Sequence, residues 1–126
     1  MSEVIFRGLS GRLHRFVCHR PDAAFEAKPA VYCFARPGPN GRGWTPLFLS
    51  RTANLSKRLA SHEHWPQAQL LGATHVLICT HDERDAREYV EADLAAVLKP
   101  IMNGPLVDAE LTEAADGAGV RLVWAA

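Results

Sequence analysis

The side chains best suited to chemistry fall in one stretch of the chain. Asn54, Arg58 and His62 recur at every fourth residue, a spacing that lines up an amide, a guanidinium and an imidazole along one flank of a helix. Arg51 stands just ahead of them and Lys57 lies beside Arg58. Such a row suits a phosphate, because a planar guanidinium offers paired N–H donors that match two phosphate oxygens. Leu55 and Leu59, at the same spacing about a quarter-turn away, give the helix an inner face.

Several elements must hold that flank in place. Pro46-Leu47-Phe48-Leu49 is a short apolar run that stops at Ser50, and Thr52 is a candidate N-cap for a helix over 52–62. Residues 30–35 (Ala-Val-Tyr-Cys-Phe-Ala) read as a strand, and the Pro- and Gly-rich stretch 36–43 reads as a hairpin loop leading into 47–49. Arg36 and Arg42 in that loop read as a solvated tip. Residues 72–80 form the clearest strand, β-branched and nearly all apolar, so it should be central. In it, His75 reads as a hydrogen-bonded structural group. Thr80-x-x-Glu83 and Asp82 are caps for a helix over 82–98 that Pro100 ends. Its apolar stripe is Ala86, Tyr89, Val90, Leu94 and Val97, with Glu91 at the edge. Asp93 falls near the stripe's centre, where a carboxylate needs a donor, and a structural bond to backbone or to a histidine is expected.

Elsewhere the chain says less about chemistry. Residues 11–19 read as a strand in which His14 and His19 are surface groups of an edge strand. Pro66 suits the first turn of a short helical segment after His64. Residues 107–116 read as a helix stopped at Gly117, and 120–124 as a last strand.

Composition sets the class. The 126 residues, 48% of them hydrophobic, match one domain able to bury an ordinary core, so 1–126 is expected to be a single domain. No apolar run approaches the ~20 residues of a membrane span, and no signal-peptide pattern opens the chain, so a cytoplasmic protein without a membrane partner is expected. Cys18, Cys33 and Cys79 are odd in number and set in apolar segments, which reads as buried thiols rather than a disulfide framework or zinc site. His62-Glu63-His64 lacks further ligands at zinc spacing. The net charge is zero, yet residues 1–58 carry ten Lys/Arg against three Asp/Glu and residues 59–126 four against eleven. That asymmetry hints at a basic face following a phosphate backbone, unless the opposite charges interleave in space.

One resemblance draws these pieces together. The stretch Phe48-Leu49-Ser50-Arg51-Thr52-x-Asn54-Leu55-x-x-Arg58-Leu59-x-x-His62 resembles the second half of the core motif of GIY-YIG nucleases, which include the excision-repair incision nuclease and several homing and restriction endonucleases. Pro29-Ala30-Val31-Tyr32 looks like the family's first strand, with Tyr32 at its motif tyrosine. Glu91, twelve residues before Asn103, is similar to its metal-binding glutamate and distal asparagine. The resemblance covers about 29–103, leaving an N-terminal strand and a C-terminal helix–strand extension outside that core. Phe48 replaces the family's second tyrosine, and Ser50 the glycine that follows it.

The resemblance implies an α+β fold with a small, mainly antiparallel sheet flanked by helices. It also implies a divalent-metal endonuclease, with nucleic acid, DNA first, as partner. Tyr32, Arg58, His62 and Glu91 would then be catalytic and would converge on one concave surface: Arg58 on the scissile phosphate, Tyr32 and His62 as general-base candidates, and Glu91 holding one Mg²⁺ or Mn²⁺. Arg51, Asn54, Lys57 and Asn103 would contact the nucleic acid. Taken singly, each residue has an ordinary structural reading: a strand aromatic, solvated helix charges, a turn asparagine. Losing the hydroxyl at Phe48 removes a proton-transfer group typically worth ~10²–10⁴ in rate. The alternative is therefore a module that binds nucleic acid or another protein without cutting.

Overall fold

The computed structural model describes residues 2–103, so the helix and strand expected over 107–116 and 120–124 lie outside the described residues. Five strands form one antiparallel sheet: β1 (Glu3–Arg7), β2 (Leu13–His19), β3 (Ala30–Pro37), β4 (Trp44–Thr52) and β5 (His75–Thr80), in the order β1-β2-β5-β3-β4. Among the described residues three α-helices accompany it: α1 (Leu55–Ala60), α2 (Trp65–Leu70) and α3 (Arg84–Leu98). This is the α+β class with an antiparallel sheet flanked by helices. The apolar β5 strand is the middle one, bonded to β2 and β3, as its continuous apolar run Val76–Cys79 requires.

The two sheet faces bury different clusters. Tyr32, Phe34, Phe48 and Ile78 face α1 and α2 and pack with Leu55, Leu59, Trp65 and Ala68. Val31, Cys33, Leu49, Leu77 and Cys79 face α3 and pack with Val90, Leu94 and Leu98. Strict period-two alternation would separate Leu47 from Leu49 by nothing and from Phe48 by a whole sheet. The chain instead breaks register: Phe34 pairs with Phe48 and Ala35 with Pro46. Leu47 is the extra residue, and the bulge lets Leu47 and Phe48 share one cluster. Pro46 is tolerated because it lies at that bulge, on the strand that ends the sheet among the described residues.

Some boundaries differ from the expected ones. The helix expected over 52–62 is the single-turn-and-a-half Leu55–Ala60, and its cap is Asn54 rather than Thr52: Asn54 Oδ1 accepts the Lys57 N–H at 3.0 Å. Thr52 Oγ1 instead accepts the Asn54 N–H at 3.1 Å, so the two short polar side chains share the work of turning strand into helix. The helix expected from 82 begins at Arg84 with no side-chain cap bond. Arg87 reaches back from the next turn and donates to the His81 and Asp82 carbonyls, 2.9 Å each. Lys99, in the left-handed conformation (φ 44°, ψ 59°), closes α3 just before Pro100.

The N-terminal hairpin also corrects the sequence reading. β1, which alternates Val4 and Phe6 inward, occupies the edge, so β2 is internal and His14 is buried. His14 Nε2 and Ser10 Oγ both meet Asp93 Oδ2 at 2.8 Å, and the Ser10 N–H donates to Asp93 Oδ1 at 2.8 Å. Asp93 thus has the histidine and backbone partners it needed, and it ties the hairpin to α3. His75, as expected, is a structural group: its Nδ1 lies 2.8 Å from Thr74 Oγ1.

Candidate functional site

The site grows from a cross-strand pair. Tyr32 on β3 lies opposite Ser50 on β4, and Phe34 lies opposite Phe48, so these four share the face that α1 covers. α1 presents Arg58 toward Tyr32, and the turn that follows brings in His62, Glu63 and His64. Tyr32 is fully buried and His62 7% exposed. The His62 ring is enclosed by aromatic edges, with ring centroids 4.8 Å away at Phe34, 5.4 Å at Phe48 and 5.5 Å at Tyr32.

That enclosure decides the protonation of His62. Burial, then the Arg58 charge, lowers its pKa from the ordinary 6.5 to about 4. Its neutral ring has one donor and one acceptor nitrogen. Nδ1 accepts the His64 N–H at 3.1 Å, so the proton resides on Nε2. Nε2 lies 2.7 Å from Tyr32 Oη and therefore donates to it. Tyr32 is the acceptor in this bond and keeps its own O–H to give elsewhere. His62, expected as a general-base candidate, has no basic nitrogen directed at Tyr32 or at open space; it positions the phenol instead. Burial raises the Tyr32 pKa, opposed in part by the Arg58 charge and by Ser50.

Arg58 lies in a fork-to-fork ion pair. Its Nη1 and Nη2 donate to Glu63 Oε2 and Oε1 at 2.6 and 2.8 Å. The bidentate bond raises the Arg58 pKa further and holds the Glu63 carboxyl at about 2. Asn54, Lys57, Arg58 and Ser61 line one shallow, open depression beside this pair. The amide oxygen of Asn54 is engaged by the helix cap, and Lys57 beside it is exposed.

Glu91 does not join the group. Ser50 and Arg51 are successive residues of β4 and so point to opposite faces. Arg51 follows Leu49 and Val31 to the α3 side, where its Nη1 donates to Glu91 Oε1 at 2.7 Å and its Nη2 lies 3.6 Å from Glu88. Burial raises the Glu91 pKa, and the Arg51 charge pulls it back. The structure therefore brings Tyr32, Arg58 and His62 together, while Glu91 and Arg51 stand across the sheet. Asn103 is likewise structural: its Oδ1 accepts the Leu49 N–H at 2.7 Å and its Nδ2 donates to the Leu49 carbonyl at 2.6 Å. Both halves of its amide are spent on the β4 edge, not on a ligand.

A Mg²⁺ or Mn²⁺ ion at Glu91 is poorly accommodated. A hard divalent ion wants anionic oxygens and water, whereas the nearest side chain on this carboxylate is a guanidinium. Among the described residues no group of three His, Cys, Asp or Glu is placed to hold a metal. The residues as arranged do not fit a resident ion.

Glu63 is the member of the site that sequence reasoning missed. It follows Arg58 by five residues, beyond the end of α1 at Ala60, so helical periodicity gives no signal for the pair. The charge halves do interleave here, since Arg51 and Arg58 from the basic half pair with Glu88, Glu91 and Glu63 from the acidic one. Among the described residues no helix is long and apolar enough to cross a membrane. No family model, curated protein or solved structure matches the chain.

Proposed function

We propose that this chain is a GIY-YIG-like domain that binds the phosphodiester backbone of nucleic acid, DNA first, at the Tyr32–Arg58–His62 face. The observation that carries the reading is the neutral His62 donating to a buried Tyr32 beside Arg58. This arrangement fixes the buried phenol against the Arg58 guanidinium, whose N–H donors an anionic oxygen can accept. Lys57 and the open depression next to Arg58 extend positive charge along the surface.

The test is fluorescence-anisotropy titration of labelled single- and double-stranded oligonucleotides at several salt concentrations. Affinity should fall as salt rises, because each neutralised phosphate releases a counterion. Arg58→Ala should weaken binding about tenfold and Lys57→Ala several-fold, since a charge-assisted bond contributes roughly 1.5–3 kcal/mol. Undetectable binding at low salt would sink the reading in favour of a protein partner.

A second reading, a divalent-metal endonuclease, rests on the order and identity of Tyr32, Arg58, His62 and Glu91 and on the antiparallel β3–β4 hairpin that carries the first motif positions. It requires Mg²⁺ or Mn²⁺ to displace Arg51 from Glu91, a rearrangement that the observed ion pair opposes. Plasmid nicking with metal against chelator, by the parent and by Glu91→Ala, separates the readings: metal-dependent cutting abolished by Glu91→Ala supports the enzyme.

A further inference from the structure

Arg58 is the cation best placed for a phosphate, and its fork is already occupied. Glu63 meets both terminal nitrogens of the guanidinium, at 2.6 and 2.8 Å. Two oxygens on two parallel N–H bonds is also the arrangement in which a guanidinium receives a phosphate. The carboxylate therefore holds the place of an anionic ligand. It is free to leave: the Glu63 side chain is 59% exposed, it follows the buried His62 in a turn rather than in α1, and beyond Arg58 its carboxylate meets its own backbone N–H and, at 3.9 Å, His64 Nε2.

We propose that Glu63 is a built-in competitor for the phosphate at Arg58 and sets which ligands the site accepts. The inference rests on the phosphate-binding reading above. A lone phosphate or mononucleotide must displace Glu63 with nothing else to gain, and a tethered carboxylate has the advantage of high local concentration. A nucleic-acid strand engages Lys57 and the neighbouring depression with adjacent phosphates at the same time, so it displaces Glu63 with the help of those other contacts. The class selected is thus the extended polyanion over the single phosphate. Glu63→Gln keeps the shape of the side chain and removes the charge that holds it on Arg58.

The experiment is a double-mutant cycle on Glu63 and Arg58, using a labelled 20-nucleotide single strand in anisotropy titrations and inorganic phosphate as competitor. Glu63→Gln is expected to tighten oligonucleotide binding about five- to tenfold and to make inorganic phosphate an effective competitor at millimolar concentration. In the Arg58→Ala background the same substitution should change affinity less than twofold, because the competitor has lost its seat. Circular dichroism and thermal melting of each variant confirm that the fold is kept. If the parent binds and Arg58→Ala weakens it, but Glu63→Gln has no effect or tightens binding equally without Arg58, the competitor role is overturned and the binding reading stands. If neither the parent nor Glu63→Gln binds oligonucleotide or phosphate at low salt, the binding reading falls and this inference with it.

Discussion

His62 offers the sharpest measurement, because its charge state ties the site to the stability of the fold. The folded pKa is about 4 against an ordinary 6.5, so the unfolded chain takes up a proton in a range where the folded one does not. Stability contributed by the neutral ring is complete above pH 6.5 and declines as pH falls toward 4. Integrating that difference from pH 7 down to pH 5 gives a loss of about 2 kcal/mol. The window stays above the ordinary carboxylate range, and the lowered pKa of His19 adds a loss of the same sign that a second protein isolates. Glu91, with its raised pKa, moves stability the opposite way as acid is added. Urea unfolding of the parent and of His62→Gln at half-unit pH intervals provides the comparison. Glutamine keeps an N–H for Tyr32 but cannot titrate, so its stability should lose about 2 kcal/mol less across the window. Proton NMR of the imidazole reports the pKa directly, and ¹⁵N shifts report which nitrogen is protonated. Parallel acid loss in both proteins, a His62 pKa near 6.5, or a proton on Nδ1 would refute the account of how the ring is held.

Three further outcomes test other parts of the structure. Asn103→Ala removes both bonds to Leu49 and should cost about 1–3 kcal/mol in urea unfolding, with no effect on oligonucleotide affinity; weakened binding with unchanged stability would return Asn103 to the site. Gly8→Ala should destabilise by about 1–3 kcal/mol, because the added Cβ would lie 1.9 Å from Asp93 Oδ2, within the packed anchor of the N-terminal hairpin; an unchanged thermal midpoint would show that the hairpin moves freely on α3. Phe48→Tyr adds a hydroxyl to a ring that already lies against His62 and His64. On the binding reading neither the parent nor Phe48→Tyr should nick plasmid with Mg²⁺ or Mn²⁺, because Glu91 is held by Arg51 across the sheet; metal-dependent cutting by Phe48→Tyr would favour the endonuclease reading. Strong cutting by the parent would show that the hydroxyl is dispensable.

The sequence by itself determined the elements whose cause is local. A continuous apolar run from Val76 to Cys79 can be satisfied only with neighbours on both sides, and β5 has them. Pro and Gly between Arg36 and Gly43 leave little but a hairpin turn, where Asn40, Gly41 and Gly43 take positive φ. Asp93 in an apolar stripe could persist only with donors, and His14 and Ser10 supply them. The grouping of Arg58 with His62 followed from helical spacing, although α1 itself stops at Ala60.

Tertiary structure decided what depends on which face a residue meets. The bulge at Leu47 is a mismatch between the two strands of the β3–β4 hairpin, and it is what sets Ser50 opposite Tyr32 and Phe48 opposite Phe34. One residue further on, the pleat sends Arg51 to α3 and separates it, with Glu91, from the site. The same logic made β2 internal, since only the pairing of β1 reveals which strand is the edge. Most consequential is the partner of Arg58. Basic residues in a row can be counted along the chain, but a charge is available to a ligand only if no carboxylate has reached it first. Glu63 reaches it through a turn whose direction is set by the packing of His62 among Tyr32, Phe34 and Phe48, contacts between segments some thirty residues apart that no local pattern contains.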